Sequence, residues 1–123
     1  MGWKHYKELI VWQKSMDLVE SVYTLTKLLP SDERFSLTDQ MRRAVVSIPS
    51  NIAEGHGRQT EKEYKQFLSI AKGSVSEIET QLLICVRLKY QTNQQTESVW
   101  AVCDEIRRML TRIITSFQFP STP

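Results

Sequence analysis

The sequence predicts an all-α fold, an up-and-down antiparallel four-helix bundle, and three observations carry that expectation. Glycine is absent between Gly2 and Gly55. Nowhere do apolar and polar residues alternate through a long β-branched segment, as a half-buried strand requires. Apolar residues recur instead at spacings of three and four in four blocks, about 9–29, 37–57, 61–89 and 93–117, joined by short connectors. At 123 residues the chain can bury one core but not two, so 1–123 is read as a single domain. A composition of 41% hydrophobic and 24% charged residues, with only 4 Gly and 4 Pro, excludes the disordered and low-complexity classes.

In the first helix Leu9, Trp12, Met16, Val19, Tyr23 and Thr26 form one apolar stripe before Pro30 ends the pattern. Val11, Leu18, Val22, Leu25 and Leu29 form a second stripe beside it, so the apolar arc is wider than one core contact needs. Ser36 followed by Asp39 has the spacing of a capping box for the second helix, whose apolar face is Leu37, Met41, Ala44, Val45 and Ile48. Pro49 removes a backbone donor and crowds the carbonyl of Val45. The second helix is nevertheless expected to continue, kinked at Pro49 at a cost of ~3 kcal/mol, because Ile48, Ile52 and Ala53 keep one face until Gly55 and Gly57.

Thr60 and Glu63 signal the start of the third helix, with Tyr64, Phe67, Leu68, Ala71, Val75, Ile78 and Leu82 as its inward face. Its small residues Gly73, Ser74 and Ser76 are expected to admit a neighbouring backbone. Its end, Leu82, Leu83, Ile84, Cys85, Val86 and Leu88, is apolar all round and suits burial on several sides. Thr92 and Gln95 cap the fourth helix, Val99, Cys103, Ile106, Leu110, Ile113 and Phe117 form its core face, and Phe119-Pro120 closes it. The double stripe of the first helix and the apolar end of the third exceed what four helices can bury among themselves. A homo-oligomer larger than a dimer is therefore expected.

Sixteen Lys and Arg against 14 Asp and Glu leave a net charge of +2, so a nucleic acid must be met by a local patch. Cys85 and Cys103 lie in apolar segments without a C-x-x-C pair and read as inert buried thiols in a reducing cytosol. No signal-peptide core, myristoylation signal or spanning run of roughly 18 apolar residues is present, so the expected location is cytoplasmic, with no membrane partner. Bundles that hold carboxylate-bridged metals use Glu-x-x-His, but Gly2 stands three residues before His5 and Ala53 three before His56. Four to six residues before His56 stand Ile52, Asn51 and Ser50, where a bundle ribonuclease needs an arginine. Walker, G-x-G-x-x-G and G-x-S-x-G motifs are also missing. The expectation is a protein that is not an enzyme, with no catalytic residues, metal or cofactor.

Between Gln40 and Arg58, the residues Arg43, Ser47, Ser50, Asn51, Glu54 and Arg58 recur at spacings of three and four, drawing a polar stripe past Pro49. Solvated faces are usually built of long Lys and Glu side chains, whereas Ser and Asn favour close contacts. The stripe, with Arg42, Pro49 and Gly55, is read first as an internal network that includes a subunit contact. A ligand or partner site and a solvated face are the other readings. The nucleic-acid candidates are Arg108 and Arg112, one turn apart opposite the core face of the fourth helix, with Arg107 alongside and Lys4 and Lys7 flanking the start of the first. Asp104, four residues before Arg108, offers it a surface ion pair worth ~0.3–0.5 kcal/mol, so a solvated face is the plain reading of these positions.

Specific strings cover the chain from about Tyr6 to Phe117: Trp12-Gln13-Lys14, Leu37-Thr38-x-Gln40-x-Arg42-Arg43-Ala44, and Ser47-Ile48-Pro49-Ser50-Asn51-Ile52-Ala53-Glu54-Gly55-x-Gly57-Arg58. Phe67-Leu68-x-Ile70-Ala71-x-Gly73-Ser74 and Glu77-x-Glu79-Thr80-Gln81-Leu82 follow. By these strings the chain resembles the four-helix-bundle proteins of the 23S ribosomal RNA intervening-sequence family, themselves similar to the accessory variability proteins of diversity-generating retroelements. The resemblance implies a bacterial protein of unknown function, a ring-like pentamer, and no catalytic residues to carry over. In the retroelement relatives a basic surface contacts nucleic acid and a reverse transcriptase. The expected function is therefore a non-catalytic oligomeric bundle binding structured RNA or a nucleoprotein partner; the alternative is a protein-interaction scaffold with no nucleic-acid role.

Overall fold

The computed structural model describes residues 5–117 and places them in four helices, α1 (Ile10–Thr26), α2 (Leu37–His56), α3 (Glu61–Arg87) and α4 (Asn93–Ser116). Short 3-10 turns over Tyr6–Glu8 and Ser31–Glu33 precede α1 and α2. Each helix packs on the next, and α4 closes the square against α1. The architecture is the all-α four-helix bundle that the spacings predict, with element boundaries within three residues of the expected ones at every end. Lys4 and the Phe119-Pro120 stop lie outside the described residues.

The core runs the length of the bundle through Leu18, Val22, Met41, Ile48, Ile52, Val75, Ile78, Leu82, Ile106 and Leu110, all fully buried. For α1 this reverses the weight of the two stripes. Val11, Leu18, Val22, Leu25 and Leu29 form the core seam, whereas Leu9, Trp12, Val19 and Tyr23 are only partly covered and Met16 is exposed. Of the first stripe only Thr26 is buried. A helix presents one arc of roughly 100° to a core, and spacing alone does not tell which of two adjacent arcs that is.

Two of the three expected caps form. The Thr60 hydroxyl accepts from the Glu63 amide at 3.1 Å, and Thr92 with Gln95 makes both bonds of a capping box. The Ser36–Asp39 box does not form, because Ser36 makes no side-chain cap bond. Glu33 takes over: its Oε1 accepts from the Ser36 hydroxyl at 2.6 Å and from the Leu37 amide at 3.3 Å. A carboxylate beside the positive end of α2 satisfies a free amide and the helix dipole together, which leaves Asp39 to pair with Arg43.

Pro49 lies buried inside an uninterrupted α2. Fully buried Ile48 and Ile52 flank it and supply the packing that offsets the missing backbone bond. The close approach expected at Gly73 occurs elsewhere. A Cβ at Gly73 would meet nothing within 4 Å, whereas one at Gly55 would stand 2.6 Å from the Phe67 Cβ and 3.0 Å from Tyr64 Cδ1.

Helix α3 ends in a Schellman turn in which Tyr90 N–H donates to the Cys85 carbonyl and Lys89 N–H to that of Val86. Lys89 occupies the left-handed position, at φ 65°, where glycine is favoured. A side chain there costs about 1–2 kcal/mol.

Candidate functional site

The polar stripe of α2 divides into two kinds of position. Ser47 faces the α2–α3 seam, where its hydroxyl shares a hydrogen bond with that of Ser74, while partly buried Asn51 donates its amide back to the Ser47 carbonyl at 2.7 Å. Arg43, Ser50, Glu54 and Arg58 stay exposed. Arg43 pairs with Asp39 at 3.0 Å and Arg58 with Glu54 at 2.7 Å, each within α2 or just beyond its end, while Ser50 donates to the Val46 carbonyl. Arg42 turns the other way, towards α1, donating to the Thr26 hydroxyl at 2.9 Å with its guanidinium over the Tyr23 ring. Gly55 is buried beneath Phe67, whose ring also lies under the guanidinium of Arg58.

The α4 cations differ in availability. Arg107 is held between Glu79 of α3, itself largely buried, and Asp104, so it acts as a bolt between the two helices. Arg108 pairs with Asp104 at 2.9 Å but its side chain remains 72% exposed. A surface pair of this kind is weak enough for a phosphate to displace. Arg112 is exposed, has no carboxylate within ion-pair distance among the described residues, and borders a shallow recess with Glu8, Ile10 and Met109. Lys7 is exposed beside the start of α1.

Two local arrangements were not singled out by spacing or motif. His56, Tyr64 and Phe117 line a cleft of about 440 Å³ with Arg58 and Gln59, the Tyr64 ring meeting His56 edge-on and Phe117 at a tilt. At the opposite end of the bundle, Glu33 Oε2 accepts from the Tyr90 hydroxyl at 2.7 Å, tying the α1–α2 connector to the α3–α4 connector. The bonds from Ser36, Tyr90 and the Leu37 amide hold the Glu33 carboxyl below the usual range and, through the same contact, raise the Tyr90 phenol. The signal for this end was present in the sequence, since Phe35 is a large apolar residue between Arg34 and Ser36 in the connector that leads into α2.

Both cysteines are buried and free. Burial pushes the Cys85 thiol up to about 11 and that of Cys103 to about 12, so neither is a thiolate near neutrality. No helix among the described residues is long and apolar enough to cross a membrane.

These features define a class: an antiparallel four-helix bundle whose polar motif is divided between an internal helix seam and a charged outer face. The chain belongs to the family of 23S rRNA-intervening sequence proteins, whose family model matches residues 7–112. It is similar to a solved protein from Bacteroides thetaiotaomicron, described as a protein of unknown function from the S23 ribosomal protein family. The identity is 30%, with 85% of this chain and 98% of that chain covered and a TM-score of 0.79. Neither description names a reaction. No curated protein matches the chain.

Proposed function

We propose that this chain is a non-catalytic, oligomeric helical bundle of the bacterial cytoplasm that docks on structured RNA or a nucleoprotein partner. The observation that carries the reading is apolar surface on the outside of a bundle whose core is already complete. Ile10 and Met16 of α1, Val46 of α2, and Ile70, Leu83 and Leu88 along α3 and at its C-terminal end are exposed, and exposed apolar surface is what subunit contacts bury. A closed ring covers it without leaving free edges, and five copies is the number implied by the sequence resemblance to ring-forming relatives.

Arg108 and Arg112 support the nucleic-acid half of the reading. They lie one turn apart on the outer face of α4, away from the buried Ile106 and Leu110. Repetition around a ring multiplies such weak contacts. The competing reading, a protein scaffold, predicts affinity that hardly responds to salt.

The test is the affinity for a structured RNA hairpin as a function of salt, for the wild type and for Arg108→Glu/Arg112→Glu. Loss of two phosphate contacts flattens the slope of log affinity against log salt by roughly 2 and weakens all sequences alike. If the wild type binds RNA and the variant keeps its affinity and slope, α4 is only a solvated face.

A further inference from the structure

The end of the bundle that carries the α1–α2 and α3–α4 connectors holds one exposed aromatic ring and several exposed cations outside any ion pair among the described residues. Phe35 is 87% exposed, the most open large apolar side chain among the described residues. The Arg34 guanidinium lies 5.4 Å from its ring centroid. Lys27, Arg87 and Lys89 share this end and are exposed. None of these four cations has a carboxylate within ion-pair distance among the described residues. The acids at the same end are Asp32, Glu33, Asp39 in the first turn of α2 and Glu97 near the start of α4; Glu33 is occupied by Ser36, Tyr90 and the Leu37 amide, and Asp39 by Arg43.

The ring is held outward by bonds on both sides. Arg34 N–H donates to Ser31 and Ser36 N–H to Glu33, fixing the backbone that flanks Phe35. The facing connector is fixed as firmly, by its Schellman turn and by the Gln91 amide donating to the Leu25 carbonyl at 2.9 Å. The Glu33–Tyr90 bond joins the two connectors, one residue before Arg34 and one residue after Lys89. A rigid platform loses little conformational entropy on binding. Lys89 also keeps a cation at a left-handed position where glycine would be more stable, and local strain of this sort concentrates at functional sites.

We infer that this end of the bundle is a contact for single-stranded nucleic acid, Phe35 stacking on an unpaired base while Arg34, Lys89 and Arg87 meet the adjoining phosphates. An aromatic ring stacks on any base, and cations beside it track the backbone without reading sequence. A paired helix does not offer the ring a base face, so unpaired nucleotides are preferred. The inference rests on the nucleic-acid half of the proposed function but uses a different surface. Arg108 lies about 22 Å along α4 from Asn93, the first residue of α4 at this end.

The experiment measures fluorescence anisotropy of a labelled single-stranded RNA of about 20 nucleotides, and of its duplex, with the full chain across salt. The wild type binds the single strand more tightly than the duplex. Phe35→Ala weakens single-strand binding roughly 5-fold or more, with thermal stability and assembly mass unchanged. Arg34→Ala/Lys89→Gly flattens the salt slope by about 1.4, at about 0.7 for each phosphate contact on a single strand. Lys89→Gly alone raises the melting temperature by roughly 2–5 °C while weakening binding, an opposition that a merely tolerated lysine does not produce.

If the connector variants bind like the wild type while Arg108→Glu/Arg112→Glu is weakened, this site is overturned and the α4 reading stands. If the wild type binds no RNA at about 50 mM salt, both nucleic-acid readings fall together. A change of assembly mass in Phe35→Ala assigns the ring to a second copy of the chain and overturns the inference. So does binding to phosphatidylserine vesicles that depends on Phe35 while RNA affinity does not.

Discussion

The α2–α3 seam and the outer face shared by α1 and α2 lie on two sides of α2, and they end in opposite states. At the seam, Gly55 lets Phe67 approach and Ser47 bonds to Ser74. On the outer face Trp12, Val19 and Tyr23 are only partly covered, and Met16 and Val46 are exposed. The seam is complete within one chain; the outer face is not. Part of the Ser47-to-Gly55 string thus serves packing between helices, whereas the apolar residues of α1 off the core seam stay open in the single chain, and in the proposed oligomer a second copy covers them.

The largest expected effect breaks the seam. Gly55→Ala forces a methyl against Phe67 and costs about 1–3 kcal/mol through displaced packing, read as a lowered urea midpoint. Gly73 is the control, because its Cβ direction is open: Gly73→Ala stabilises the bundle by about 0.5–1 kcal/mol through helix propensity. If both substitutions shift the midpoint alike, the seam is not a close approach. A smaller effect sharpens the same comparison. Ser47→Ala costs about 0.5–1.5 kcal/mol, and adding Ser74→Ala costs little more, since the two hydroxyls are partners. Strict additivity of the two losses would show that each hydroxyl acts independently.

The fold was legible because four apolar blocks, two capping pairs and the short connectors agreed with one another, so boundaries followed from Thr60, Thr92 and Pro30. Three features were not legible, each because spacing is blind to what lies across a gap. The first stripe of α1 and its core stripe have the same periodicity, and only the position of α2 and α4 decides between them. Ser36 and Asp39 have capping spacing, yet Glu33 reaches the amide first because a 3-10 turn precedes α2. Gly55 and Gly73 look alike in sequence, but only one faces an aromatic side chain. The cations show the same limit. Arg107, Arg108 and Arg112 are equal in a charge count, while Glu79 on another helix removes the first from the surface.

The most direct test of the account is the mass of the purified protein at micromolar concentration, measured by light scattering for the wild type and for Met16→Glu/Val46→Glu. The outer face predicts an assembly above the dimer for the wild type. It predicts loss of that assembly in the variant with helicity retained, because both side chains are exposed in the single chain. A wild-type particle of about 14 kDa, the mass of one chain, would contradict the account.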